Sequence, residues 1–196
     1  LEQGRSLAAA FNSTFLQLDN LKTATTAQMQ DAMEGINLLT KELTSVNDRI
    51  LSAGQSGKSP NSFLDLRDRL VQDISALADV SVSYTDRGVA NLTIGSSGAG
   101  PSLVDGTNRT PLGFIERYDR IGGLQVVLNP LSSHTPTSQL SGGIIAGLSE
   151  VYGSIDDVVN QMNQLAVQIT TDLNSQHHLG VTMDGLRLSL IHISEP

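Results

Sequence analysis

The feature that most constrains the fold is a long heptad stripe in the first quarter of the chain. Steps of three and four residues from Ala8 reach one apolar or small side chain after another, and Lys22 is the only charged residue among them: Phe11, Phe15, Leu18, Lys22, Thr25, Met29, Ala32, Ile36, Leu39, Leu43, Val46 and Ile50. This spacing puts one stripe along a helix, and the stripe must be covered by another helix. No proline interrupts residues 8–50, so they predict one helix roughly 65 Å long and an elongated architecture.

A second heptad run supplies the partner. After Ser141-Gly142-Gly143 the apolar residues are Ile144, Leu148, Val151, Ile155, Val158, Met162, Leu165 and Ile169. A chain that leaves as one heptad helix and returns as another predicts an intramolecular antiparallel pair. Two homodimeric coils are the alternative, although Phe, Thr, Ala and Lys in the first stripe suit a two-stranded zipper poorly. The returning helix is predicted to end near His178, with Gly180 as its C-cap residue and a tight turn at Asp184-Gly185.

A shorter helix is predicted between the two runs. Residues 53–60 contain two glycines and a proline, so the first helix should end by Ser52. Ser62, followed by Asp65, has the capping-box pattern, and Asn61 could substitute for it as the N-cap. We therefore expect a helix from about Ser62 to Ala78 that packs against the end of the long one.

The hydrophobic period changes to two after Asp79. The alternating residues are Val80, Val82 and Tyr84, then Ala90, Leu92 and Ile94 beyond a turn at Asp86-Arg87-Gly88, which predicts a β-hairpin. Residues 102–104 indicate a short strand, a polar loop follows, and residues 124–128 indicate a strand that Asn129-Pro130 ends. Because a hairpin alone is marginally stable in water, this module must pack on a helix or a neighbouring molecule.

These patterns predict an α+β fold: an elongated antiparallel heptad-helix bundle of two long helices and one short, with a small inserted antiparallel β-module. The expected division is a long helix with its short packing helix over residues 1–78, the β-module and loops over 79–140, and the returning helix over 141–180. Residues 188–196 resemble the translation of a transposon-end sequencing adapter and are interpreted as a sequencing artefact.

Composition narrows the classes of partner and chemistry. The formal net charge is −8, and an acidic chain without a basic run is a poor match for nucleic acid or an anionic membrane surface. The absence of cysteine excludes disulfides, thiolate catalysis and Cys-ligated zinc. No apolar run approaches the roughly 20 residues that span a bilayer.

One partial motif for phosphate binding was tested against its consensus. Gly57-Lys58-Ser59 matches the end of the phosphate-binding loop, but Ser52 stands where that loop needs its first glycine. A helix rather than a strand precedes it, so the backbone N–H groups would not converge on a phosphate. We predict no nucleotide or other cofactor site.

Histidines and paired carboxylates also fail to make a site. His177 and His178 are adjacent and point about 100° apart on a helix, and His134 has no second ligand at metal spacing. Asp156-Asp157, and Asp65 with Asp68, are expected to be solvated pairs on exposed helix faces. The sequence therefore predicts no catalytic, cofactor-binding or metal-binding residue, and no enzyme.

Three local patterns, in this order, resemble the flagellar hook-associated protein 1 family. Residues 59–70 read S-P-N-S-F-L-D-L-R-D-R-L, similar to the family's S-P-N-D-L-L-D-x-R-D-x-L. Residues 142–148 read G-G-I-I-A-G-L, like its G-G-x-L-x-G-L, and residues 174–180 read N-S-Q-H-H-L-G, like its N-x-Q-H-x-x-G. The resemblance covers about residues 1–185, the middle section of the family.

The resemblance implies a structural axial protein that self-assembles at the junction between the hook and the filament of the bacterial flagellum. It implies partners among the neighbouring axial proteins, namely the hook protein and the second junction protein, and an export chaperone that binds through the family's C-terminal segment, which this sequence lacks. It implies export through the flagellar type III secretion system to an extracellular location. The alternatives are flagellin or the second junction protein, or, in another class, a coiled-coil binding, sensor or phage fibre module.

Overall fold

The computed structural model describes residues 2–56, 59–117, 123–132, 135–136 and 140–179. These contain three helices, α1 (Glu2–Gln55), α2 (Asn61–Leu77) and α3 (Gly143–Leu179). Seven strands lie between α2 and α3: β1 (Val80–Tyr84), β2 (Ala90–Ile94), β3 (Ser102–Asp105), β4 (Asn108–Arg109), β5 (Leu112–Arg117), β6 (Gly123–Leu128) and β7 (Thr135–Pro136). The predicted α+β class, with two long helices, one short helix and small antiparallel sheets, is confirmed.

The chain divides into two units. In its described part, the first unit consists of residues 2–18 of α1 and residues 156–179 of α3, and the second unit runs from residue 19 to residue 155. None of the described side chains of the first unit is fully buried; its best covered apolar side chains, all half-buried, are Phe11, Leu18, Val159, Met162, Ala166 and Ile169. The buried core lies in the second unit.

The heptad stripe of α1 is confirmed within the second unit. Its buried members are Thr25, Met29, Ala32, Ile36, Leu43, Val46 and Ile50, and Leu39 is half-buried. In the first unit the prediction was wrong for Ala8, which is exposed, and for Phe15, which is 45% exposed. The helix also continues to Gln55 instead of ending by Ser52, because Ser56 donates its N–H and its hydroxyl to carbonyls in the last turn and so satisfies the helix end.

The predicted stripe of α3 was half wrong. Ile144, Val151, Val158 and Leu165 are 42 to 51% exposed. The covered face instead combines Ile145, Tyr152, Val159 and Ala166 with the shared residues Leu148, Ile155, Met162 and Ile169. Both sets fit steps of three and four, so periodicity could not choose between them; the packing of each unit does.

Within the second unit α1 and α3 run antiparallel, as predicted. The start of α3 lies against the end of α2, since the Asp79 N–H donates to the Gly142 carbonyl at 3.1 Å. Further along α3, the Lys22 ammonium lies 4.7 Å from the centroid of the Tyr152 ring. A Cβ on Gly35 would lie 3.5 Å from the Leu77 side chain, so α3 starts beside this level of α1 and proceeds toward earlier residues such as Lys22. The pairing is intramolecular here, which disfavours the two-homodimer alternative.

The predicted capping box of α2 is absent. The helix begins at Asn61, and Pro60 occupies the N-cap position without a side-chain hydrogen bond. The Pro60 carbonyl accepts from the Leu64 N–H at 3.0 Å, the first intrahelical bond, which places Ser62 inside the first turn. The predicted end of the helix, near Ala78, is confirmed.

The strands of the described residues form two antiparallel sheets. One has the order β1-β2-β3-β4 and the other β5-β6-β7. The predicted hairpin is confirmed, with Tyr84 opposite Ala90 and Val80 opposite Ile94. The strands expected at residues 102–104 and 124–128 are β3 and β6, and Asn129-Pro130 follows the end of β6 as predicted.

The predicted polar loop between them was wrong, since it contains β4 and β5. All of β5 pairs with β6, from Leu112 opposite Leu128 to Arg117 opposite Gly123. Gly113 and the charged end of β5 interrupt its apolar alternation, so the sequence pattern did not indicate a strand. The strand forms because β6 provides hydrogen-bond partners along its whole length.

One core joins the helices of the second unit to both sheets. Strand side chains cover the inner face of α1 and part of α2, and the fully buried members are Ile36, Leu43, Ile50, Ile74, Ala78, Ala90, Leu92, Ile94, Leu103, Val104 and Ile145. Leu112, Val126 and Leu128 of the second sheet belong to the same cluster. Across the described residues, no helix combines the length and the apolar character that crossing a membrane requires.

Candidate functional site

The surface of α1 that faces the strands carries two asparagines that hold the sheets by their backbones. Asn47 is completely buried. Its amide donates to the Ala90 carbonyl at 2.9 Å and to the Gly106 carbonyl at 2.7 Å, and its Oδ1 accepts from the Ala90 N–H at 3.1 Å. A single helix side chain therefore ties down both the start of β2 and the turn between β3 and β4.

Asn37 holds the second sheet in the same way, through the backbone of Leu112. Its Nδ2 donates to the Leu112 carbonyl at 2.7 Å, and its Oδ1 accepts from the Leu112 N–H at 2.8 Å. This reciprocal pair of bonds copies the pairing of one strand residue with another, although the partner is a helix side chain. Ten residues, about 15 Å along α1, separate the two asparagines.

Arg67 joins α2 to the turn of the first hairpin. Its side chain is only 11% exposed, donates to the Gly88 carbonyl, and has its guanidinium 4.4 Å from the centroid of the Tyr84 ring. It also forms an ion pair with Asp68 at 2.6 Å. The planar guanidinium stacks on the ring while its N–H groups donate in the plane to the carbonyl, a combination that suits arginine better than lysine.

The junction where α3 begins is fixed by Asp79 and the glycine pair. The Ser141 hydroxyl donates to Asp79 Oδ2 at 2.8 Å, and the Gly95 N–H donates to the Asp79 carbonyl at 2.9 Å. Gly143 has φ of +80°, and a Cβ there would lie 2.7 Å from backbone atoms of Ala78. Only glycine therefore allows α3 to start this close to α2.

The sequence motifs considered for chemistry do not converge. Gly57, Lys58 and His134 lie outside the described residues, as do Gly180, Asp184-Gly185, residues 188–196 and the side chains of His177 and His178. Within the described part of the chain no three His, Asp or Glu residues lie close enough to hold a metal ion. What the arrangement does is mechanical: helix side chains fix two sheets and a helix junction in place.

Sequence reasoning missed both asparagines and understood Arg67 only as part of a motif. A usable signal was present, because Asn37 and Asn47 each adjoin a residue of the α1 stripe, Ile36 and Val46. A polar side chain bordering a buried stripe needs a hydrogen-bond partner. The identity of that partner, a strand backbone 43 or 75 residues away, was not readable from the sequence.

Comparison with known proteins gives a consistent family. The family model of the flagellar hook-associated protein FlgK helical domain matches residues 1–188. The flagellar hook-associated protein 1 of Escherichia coli K12 is 29% identical over 160 residues, which are 79% of this chain and 29% of that protein. The protein of the same name from Bacillus subtilis is 24% identical over 206 residues, 93% of this chain and 40% of the relative.

A solved structure shares the fold. The flagellar hook junction protein FlgK from Burkholderia pseudomallei superposes with a TM-score of 0.77 at 27% identity, covering 95% of this chain and 34% of the other. The chain thus spans only about a third of the length of the proteins that it matches. With its helices, sheets and sequence profile all in agreement, the chain belongs to the flagellar hook-associated protein FlgK helical domain family, a family of structural flagellar proteins.

Proposed function

We propose that this chain is part of a structural axial component of the bacterial flagellum, which forms the junction between hook and filament by self-assembly. The observation that supports this most is the family match over residues 1–188 together with a shared fold over 95% of the chain. The role is that of a scaffold and uses neither catalysis nor a cofactor.

The internal anchors suit such a scaffold. We assign the helical parts, residues 1–78 and 141–180, to the supporting frame, and residues 79–140 to an inserted β-module that the frame carries. Asn37 and Asn47 bind the two sheets to α1 through backbone groups. Sheets held in this way present their outer surfaces at fixed positions, as packing between subunits requires.

The proposed partners are other copies of the chain and the neighbouring axial proteins, that is, the hook protein and the second junction protein, with an export chaperone before assembly. The proposed location is extracellular, on the flagellum, after export through the flagellar type III secretion system.

A chimera tests the proposal. The matching segment of the Escherichia coli flagellar hook-associated protein 1 is replaced by residues 2–179 of this chain, and the gene is expressed in a strain that lacks its own copy. We expect filaments by electron microscopy and swimming in soft agar. The matched negative control carries Leu43→Asp, which places a charge at a fully buried position and should prevent folding.

Protein in the culture medium is measured in parallel, because it separates export from assembly. A chimera that is exported at the level of the native protein, yet builds no filament, would contradict the proposed junction role.

A further inference from the structure

The two sheets have four outer edges in the described part of the chain, and three of them are protected against pairing with another strand. The outer strands β4 and β7 have only two residues each, and β7 contains Pro136, which has no N–H group. On the outer edge of β5, Asn37 occupies both backbone groups of Leu112, and the strand ends in the charged residues Glu116-Arg117. Short strands, proline and charges are the usual means by which proteins block a sheet edge.

The outer edge of β1 lacks these protections. The strand has five residues, V-S-V-S-Y, with neither a proline nor a charge among them. It pairs with β2 residue for residue and without a bulge, whereas the irregularity in this sheet lies between β2 and β3. Of the outer edges that the structure describes, that of β1 is therefore the one left open, and such an edge is a template for a strand of another molecule.

The backbone groups of β1 that point outward can be identified from Asn47. Ala90 uses both its N–H and its carbonyl for Asn47, so it forms a non-hydrogen-bonded pair with Tyr84, which lies opposite it in β1. Because such pairs alternate along an antiparallel ladder, Val80, Val82 and Tyr84 direct their N–H and carbonyl groups to the outer edge. In the part of the chain that the structure describes, none of these backbone groups has a hydrogen-bond partner.

The sequence of β1 is complementary to a second copy of itself. When two β1 strands lie antiparallel about a two-fold axis at Val82, each Val82 is opposite the other, and Val80 is opposite Tyr84 of the second copy. Apolar side chains then meet on the inner face of the sheet, while Ser81 meets Ser83 on the outer face. No like charges oppose one another in this register, which would weaken a pair of strands.

We propose that two copies of the chain pair through their β1 strands, antiparallel and with Val82 at the two-fold axis, so that two four-stranded sheets join into one of eight strands. The outward N–H and carbonyl groups of β1 supply the hydrogen bonds. A contact of two five-residue strands is small, so the dimer is weak and its population rises with concentration. Because a two-fold contact closes on itself and cannot extend into a polymer, the inference goes beyond the proposed junction role and does not rest on it.

Disulfide trapping tests the register, since the 196-residue chain has no cysteine of its own. In Val82→Cys the two cysteines of the dimer lie directly opposite, about 5.5 Å apart between Cα atoms, which a disulfide can bridge. The control is Ser83→Cys at an exposed position, where the two Cα atoms are offset diagonally at about 7–8 Å, too far for the bond. On oxidation we expect the linked dimer to form about tenfold faster in Val82→Cys, because that bond forms within the dimer and not by collision.

Val82→Pro tests the hydrogen bonds. Proline removes the outward N–H of this residue and leaves the bonds between β1 and β2 in place, since that N–H points away from β2. Sedimentation equilibrium over a concentration series should show the dimer dissociation constant rising at least about tenfold, because the two-fold axis doubles each lost hydrogen bond. Circular dichroism checks that the fold is unchanged. Ser83→Ala keeps every backbone group and should leave the dissociation constant as it is.

Equal trapping of the two cysteine variants, a dimer of unchanged strength in Val82→Pro, or a chain that stays monomeric at every concentration would each overturn this inference. The proposed function is judged separately by the chimera, because filament formation does not require the β1 dimer.

Discussion

Replacement of Asn47 by alanine tests whether one buried amide holds the β-module on α1. The substitution removes the partners of three backbone groups, the Ala90 N–H, the Ala90 carbonyl and the Gly106 carbonyl. Each buried polar group left unpaired costs about 1–3 kcal/mol. Water entering the vacated space restores part of this, so we expect the free energy of unfolding to fall by about 3–5 kcal/mol.

Thermal unfolding followed by circular dichroism measures the effect. For a chain of this size each kcal/mol shifts Tm by about 2–4 °C, so the midpoint should fall by roughly 6–20 °C. Hydrogen exchange at the Ala90 amide should accelerate in the same variant, because that amide loses its acceptor.

Asn20→Ala is the matched control. Asn20 is an exposed asparagine on the same helix, and its replacement should change stability by no more than about 0.5 kcal/mol. If Asn47→Ala stays within about 1 kcal/mol of the unmodified chain, the reasoning that assigns the anchoring to this amide is refuted.

Three further predictions concern the junction of α2 with α3 at Gly143, the contact of Arg67 with the first hairpin, and the covered face of α3. Gly143→Ala should destabilise the protein by more than about 2 kcal/mol, because the new Cβ would clash with the backbone of Ala78. Gly147→Ala is the control: its Cβ would have no atom within 4 Å, so higher helix propensity should stabilise the protein by about 0.5–1 kcal/mol. Denaturant titration measures the free energy of unfolding of both variants. Arg67→Lys should cost about 1–2 kcal/mol and raise protease cleavage in the hairpin turn, since an ammonium loses the planar stacking on Tyr84 that accompanies the bond to Gly88. Val159→Asp should lower Tm more than Val158→Asp, because Val159 is half-buried and Val158 is 42% exposed. The reverse order would support the stripe of α3 that was predicted from sequence.

The parts of the fold that were predictable are those set by local sequence. The α1 stripe, the returning helix after Gly142-Gly143 and the hairpin around Gly88 follow from periodicity and turn chemistry within short windows. The predicted relation to the hook-associated family rested on three such windows, and the family match over residues 1–188 confirms it.

The errors share a physical cause, which is that local pattern leaves more than one solution open. The apolar residues of α3 fit two stripes, and the choice of Tyr152 over Val151 depends on what lies opposite. Strand β5 has a weak alternation of its own and exists because β6 pairs with it. The predicted capping box at Ser62 does not form, because the helix starts earlier: the Pro60 carbonyl accepts the first intrahelical hydrogen bond, so Ser62 lies inside the first turn.

The sequence by itself determined the three helices, the first hairpin, β3 and β6, and the order in which they follow one another; β4, β5 and β7 were not predicted from it. Tertiary structure decided which faces are buried and how the module is attached. Asn47 shows the difference, since its position beside the stripe was visible in the sequence but its partners at Ala90 and Gly106 were not. Periodicity is a property of neighbouring residues, whereas a hydrogen bond across 43 positions exists only after the chain has closed on itself.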